Sequence, residues 1–233
     1  MRILVTNDDG VYSPGIAALA QVASRFGEVR IVAPDVEMSS AAHSITASRP
    51  MSYKRTAIPG LDAWRVNGTP ADCVNLGPNL GNAMWHSGTL SGARQASLLG
   101  MRGIAFSVPA PETRPPDFEL LKPWIASVLE ILIAAPELKL VNVNFPADQP
   151  RGILWTRQSV RHYDGKVVPG KDPMGRQHYW FTVVPVEGTD EDSDRWAFER
   201  GYVSMTPLRL DLTDEGQLAH AKKLLSLKKV RFA

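Results

Sequence analysis

Short runs that are apolar on both faces alternate with amphipathic stretches along the first two-thirds of the chain. Ile3-Leu4-Val5 is cut off by Thr6, Asn7, Asp8 and Asp9, the pattern of a parallel strand buried on both sides. Ser13-Pro14-Gly15 opens a helix: serine caps it, proline fits its first position, and Ile16, Leu19 and Val22 line its inner face. Residues 28–34, EVRIVAP, form a second buried strand. This β-α-β start predicts a doubly wound α/β sheet with right-handed crossovers. Residues 35–44 form a polar loop. Residues 45–65 hold Pro50, Pro59 and Gly60 with little periodicity and read as an extended excursion, a flap.

Further on, 87–101 read as a helix with Ser87 or Thr89 at its N-terminus, 103–108 as a strand and 109–116 as a proline-rich loop. Residues 118–135 read as a helix with Pro123 at a boundary or kink, and 140–146 as a strand. After Pro150 the texture changes. ILWTRQ (153–158) and YWFTVVP (179–185) read as antiparallel strands, a β-rich extension suited to subunit contact. The basic tail 219–233 reads as a solvated helix. One domain results: an α/β core over 1–146 and an extension over 147–233.

Composition narrows the class. The 233 residues are 44% hydrophobic and 21% charged, with net charge +2. These are values of an ordinary globular chain, too mild in charge for a nucleic-acid scaffold. The single cysteine, Cys73, permits no internal disulfide and suits a reducing compartment. No apolar run is long enough to span a bilayer, and Met1 runs directly into a strand, leaving no room for a signal peptide. A cytoplasmic protein with no membrane partner and no nucleic-acid polymer partner is expected.

The candidate chemistry lies at the strand ends, where open α/β sheets bind ligands. Asp8 and Asp9 follow the first strand. Adjacent carboxylates raise each other's pKa unless a cation neutralises them, and Mg²⁺ or Mn²⁺ prefers oxygen donors. The other reading is a surface Asp-Gly turn. Ser39 and Ser40 can reach the same edge from beyond the second strand. In NLGPNLG (75–81), amides alternate with glycines that let backbone N–H groups approach an anion. HSGT (86–89) sets hydroxyls and amides at a helix start, a natural phosphate seat. His43 could touch substrate; a structural loop histidine is the alternative. His86, His162, His178, His220, Cys73, Trp155, Trp180, Trp196, Arg157 and Arg161 fit packing or surface roles better than chemistry. Together the clusters describe a hard metal facing an anion pocket, as metal-assisted phosphate ester hydrolysis requires.

ILVTNDDGVYSPG, VAPDVEMSSAAHS, GTPADCV, NLGPNLG and SGTLSGARQA, with RQSVRHYDG, DPMGRQHYWF and TPLRLDLTD further on, resemble the SurE family of survival-protein nucleotidases along nearly the whole chain. The resemblance implies a Rossmann-like three-layer α/β core with a mostly parallel sheet. It implies a C-terminal extension that builds a homodimer or homotetramer. It also implies a phosphohydrolase dependent on one divalent metal ion per subunit, acting on nucleoside 5′- and 3′-monophosphates and sometimes on polyphosphate. By matching motif, the metal ligands fall on Asp8, Asp9, Ser39 and Asn75, with Asp8 or Asp9 handling the water. Asn79, Ser87, Gly88 and Thr89 line the phosphate side, with Ser40 and His43 close by.

The chain departs from that pattern in one large way. GTPADCV should start a helix, and a core strand should follow before the asparagine loop; here the two motifs are fused between Val74 and Asn75. A mean helix plus a mean strand is about 17 residues. Three explanations stand: a real deletion with a rearranged sheet, an inactive variant, or a sequence shorter than the gene product. Met38-Ser39-Ser40 also stands where Gln-Ser-Gly is usual, leaving the serine ligand ambiguous by one position. The non-enzyme alternatives are a non-catalytic oligomeric relative and a Mg²⁺-binding receiver domain. The receiver lacks its third aspartate and its lysine here. A dinucleotide binder lacks Gly-x-Gly-x-x-Gly after the first strand.

Overall fold

Strand β1 (Arg2–Val5) and strand β2 (Glu28–Pro34) pair in parallel, joined by helix α1 (Pro14–Ala23). Ser13 caps α1, its Oγ accepting from the Ile16 N–H, with Pro14 in the first turn. The structure is a computed structural model that describes residues 1–38, 52–69, 87–109, 116–159, 163–171, 173–174, 177–185 and 188–227. Architecture below refers to these residues.

The region read as a flap is partly sheet. Strand β3 (Tyr53–Ile58) and strand β4 (Leu61–Val66) form an antiparallel hairpin, and β4 pairs in parallel with β2. Pro59 and Gly60, which suggested broken structure, make its turn. Proline supplies the fixed φ and Gly60 takes φ +74°, a left-handed conformation open to glycine. Residues 39–51 lie outside the described residues.

Helix α2 (Gly88–Leu98) follows, capped by Ser87 and closed near Gly100, with φ +78°. Strand β5 (Gly103–Ser107) pairs in parallel with strand β6 (Leu140–Asn144), every residue of which is buried. Between them runs helix α3 (Phe118–Ala134), capped by Asp117 and continuous through Pro123. Its inner stripe of Leu121, Ile125, Val128, Leu129 and Leu132 is buried.

The C-terminal third returns to the core. ILWTRQ does not pair with YWFTVVP. Strand β7 (Ile153–Trp155) instead lies parallel to the last strand. Strands β8 (Tyr163–Lys171) and β9 (Gln177–Pro185) form a hairpin that pairs only within itself among the described elements. Helix α4 (Asp194–Glu199) leads to strand β10 (Val203–Pro207), which runs antiparallel to β6. Helix α5 (Glu215–Leu227) has exposed residues from 215 to 224, as the solvated-tail reading expected.

The strand orders are β1-β2-β4-β3 in one sheet and β5-β6-β10-β7 in another. One apolar cluster serves both: Val5, Ile31 and Ala63 from the first, Val141, Val143, Val203 and Met205 from the second, roofed by α1 and α3. On the opposite face, α2 covers only the second sheet through Leu90 and Ala93 on Ala105 and Leu140. Leu4, expected to be buried on both sides, is therefore 56% exposed.

Buried polar groups pin the C-terminal third. Asp194 is fully buried, and its Oδ1 accepts from Ser159 N (2.9 Å), Ser159 Oγ (2.6 Å) and Arg195 N (2.7 Å). Asp194→Ala strands these three donors and is expected to lower unfolding stability by about 3 kcal/mol. Asp194→Asn keeps an acceptor and should cost about half as much. Urea midpoints of the two variants check the order.

Candidate active site

The turn after β1 is built by Asn7. Its Nδ2 donates to the Gly10 carbonyl (3.1 Å) and to Ser13 Oγ (2.6 Å), folding residues 7–13 into a loop that starts α1. Gly10 takes φ +95°, unfavourable for any other residue. The loop is stitched to the end of β2 by two backbone bonds, Val11 N–H to Pro34 O (2.9 Å) and Met38 N–H to Asp8 O (3.0 Å). The second places the residue just before Ser39 against the backbone of Asp8. Asn7 was not among the expected site residues. The signal for it was in the sequence: an asparagine three residues before a glycine and six before a capping serine.

Asp8 and Asp9 differ sharply. Asp8 is fully buried. Asp9 faces outward, yet its carboxyl is pushed up to about 6, by partial desolvation first and by the nearby Glu37 carboxylate second. The native state thus keeps the proton on Asp9 between pH 4 and 6, where an unfolded chain has lost it. The stability Asp9 contributes is full below about pH 4 and is lost as pH rises through 6. Because Asp9 is open to water, the slope is expected to be well below the roughly 1.4 kcal/mol per pH unit of a fully shifted site. Asp9→Asn should remove it, seen as a flatter plot of urea midpoint against pH from 4 to 6.

Helix α2 carries the residues expected to seat the phosphate. Ser87 and Thr89 are both buried. Ser87 Oγ accepts from Leu90 N (3.0 Å), and Ser91 Oγ donates to Ser87 O (2.6 Å). Thr89 Oγ1 is buried with no hydrogen-bond partner among the described residues. Such an orphan hydroxyl in a helix's first turn, beside N–H groups that lack intrahelical acceptors, fits an anion. Ser39, Ser40, His43, Asn75 and Asn79 lie outside the described residues.

The family model for survival protein SurE matches residues 3–77 and again 74–165. The chain belongs to the SurE family. A 5′-nucleotidase SurE 1 of Thermus thermophilus is 42% identical, covering 97% of this chain and 98% of that protein. A 5′-nucleotidase SurE of Deinococcus radiodurans is 39% identical over 91% of this chain and 88% of that one. The crystal structure of the SurE protein from Aquifex aeolicus superposes with a TM-score of 0.82 at 34% identity, covering 97% of this chain and 100% of that one. The α/β fold of this SurE chain, with its mixed and mostly parallel pairing, agrees with that neighbour. No helix among the described residues is long and apolar enough to cross a membrane.

The SurE donor set suits a hard cation. Asp8 puts a carboxylate in a dry setting and Asp9 has a raised carboxyl; a neighbouring divalent ion would favour the charged form of both. Among the described residues no three acidic, histidine or cysteine side chains gather as a cage. An ion here would therefore also take neutral oxygens, the role expected of Ser39 and Asn75.

Proposed function

We propose that this chain is a 5′-nucleotidase that releases phosphate from nucleoside monophosphates at the carboxyl end of β1. The pairing of a fully buried Asp8 with an outward Asp9 at the carboxyl end of β1 carries the reading, and the names of its relatives support it. Asp8 and Asp9, with Ser39 and Asn75, would hold one Mg²⁺ or Mn²⁺. When bound, the ion would polarise a phosphoryl oxygen and acidify a water. Asp8 fixes the negative charge at the strand end. Asp9, exposed at the end of β1 beside the buried Asp8, is placed to orient the attacking water and take its proton. The first-turn amides of α2 and the Thr89 hydroxyl donate to the phosphoryl oxygens as charge builds on them. Asn79, Ser40 and His43 belong to the same phosphate side.

The subunits assemble as a homodimer or homotetramer in this reading. The β8–β9 hairpin supports it, since a two-stranded ribbon that pairs only with itself among the described residues is marginal in water. The reaction is cytoplasmic, as the lone cysteine suggests.

The test is phosphate release from AMP and GMP by the purified chain with Mn²⁺, with Mg²⁺ and with chelator. Metal-dependent release supports the proposal. Release that persists in chelator removes the metal role, and no release with either ion removes the activity.

A further inference from the structure

The second sheet has two ends with different chemistry. Helix α2 runs back along β5, so its start, with Ser87 and Thr89, lies at the carboxyl end of β5 and β6. Its last turn lies at the other end, where Ser97 Oγ donates to Lys139 O (3.0 Å) just before β6. At that amino end there is a cleft of about 530 Å³. Leu138 precedes β6, Pro207 ends β10 opposite Val141, and Trp155, Thr156 and Arg157 lead out of β7. Asp192 completes the wall. All six lie among the described residues. The length of β6, about 16 Å, separates the two ends, so one mononucleotide cannot serve both.

The lining combines an aromatic face with two opposite charges. Trp155, expected in a packing or surface role, is 49% exposed. Arg157 and Asp192 are exposed as well. Their backbones are zipped together: Arg157 N–H donates to Asp192 O (2.9 Å), and Asp194 N–H to Arg157 O (2.8 Å). Their side chains line the same cleft, yet among the described residues no ion pair joins them. Asp192 takes φ +64°, the one non-glycine left-handed residue among those described. That conformation costs energy and persists where the surroundings impose it. Behind the rim the floor is fixed, since Thr156 Oγ1 and Thr206 Oγ1 share a hydrogen bond (2.8 Å).

An indole face, a guanidinium, a carboxylate and the apolar Leu138 and Pro207 match a nucleotide part by part. A base stacks on an indole, a phosphate takes a guanidinium in bidentate fashion, and ribose hydroxyls donate to a carboxylate. The volume falls within the range of small-molecule sites and exceeds what an inorganic ion needs. A bare phosphate would meet the Asp192 charge with nothing in return. We infer that this cleft is a second nucleoside monophosphate site, at the opposite end of the sheet from the proposed catalytic one. Trp155 stacks the base, Asp192 holds the ribose diol and Arg157 holds the phosphate. The inference goes beyond the nucleotidase reading and needs neither metal nor turnover, so either can fail while the other stands.

The test is calorimetric titration of the full chain with AMP, adenosine and inorganic phosphate in chelator, which withdraws any cation from the β1 end. AMP is expected to bind with a dissociation constant of about 1 mM or below, the range of ordinary substrate affinities. Trp155→Ala should weaken AMP and adenosine alike, by about tenfold. Trp155→Phe keeps a stacking face and should hold AMP within about threefold of the parent. Arg157→Gln should weaken AMP by about tenfold and leave adenosine as it was. Both side chains are exposed, so Tm without ligand should stay at the parent value; if Trp155→Ala melts early, Trp155→Phe and Arg157→Gln carry the test. The inference is overturned if the parent binds no AMP in chelator, or if the folded variants bind AMP as the parent does, which leaves all binding to the catalytic end. It is also overturned if phosphate alone binds as tightly as AMP, which makes the cleft a simple anion site.

Discussion

Asp8→Asn is expected to reduce metal-dependent phosphate release by about a thousandfold, roughly 4 kcal/mol of transition-state stabilisation, while leaving Tm in chelator unchanged or higher. The two halves follow from one observation, the complete burial of Asp8. A carboxylate kept out of water is costly to the fold. Asparagine keeps the size and an acceptor oxygen but loses the charge, so the fold does not suffer. The lost charge is what a cation and a phosphate would need. Initial rates with Mn²⁺ and thermal scans in chelator check both halves. A rate within fivefold of the parent rules out Asp8 as a ligand. A large fall in Tm would make it a structural aspartate.

The largest stability effect is expected from Gly103→Ala. A Cβ built on Gly103 falls 1.9 Å from the Ala93 carbonyl oxygen and 2.6 Å from its carbon. Both atoms are helix backbone and cannot rotate aside as a side chain could. Either α2 lifts off β5 or β5 shifts away from β6, breaking bonds such as Gly103 N–H to Lys139 O at 2.9 Å. Overpacking costs about 1–3 kcal/mol where side chains can adjust, so about 3 kcal/mol or more is expected here. For a chain of this size that lowers Tm by roughly 6–12 °C. Because α2 carries Ser87 and Thr89, the surviving folded protein should also lose phosphate release. A variant that melts within 2 °C of the parent would show that α2 is not seated on β5 as described.

The elements that could be read from the sequence were those whose signals are local. Ser13-Pro14 marks a helix start because capping and a fixed φ act within one turn, and Ser87 marks another for the same reason. Asp8 and Asp9 stood out because two carboxylates after a strand have few structural uses. Misreadings arose where partners are distant. Pro59-Gly60 looked like broken structure until β4 was found against β2. ILWTRQ joined β10 rather than YWFTVVP because strand choice depends on chain some 50 residues away. Leu4 looked buried because an apolar run says nothing about whether a second layer covers it. Asn7 carries no charge beside two acids, yet its bonds to Gly10 and Ser13 shape the loop that presents them.

The split between the sheets also has a meaning in time. All four strands of the first sheet lie within residues 2–66, so the strand that carries Asp8 and its sheet neighbours are synthesised well before α2. The inner face of α1 must wait for α3, which ends at Ala134, 68 residues after Val66. At about 5–20 residues per second, that apolar face stays bare for roughly 3–14 seconds of synthesis. During that interval the nascent half-sheet carries an unroofed core, a surface open to association with other chains.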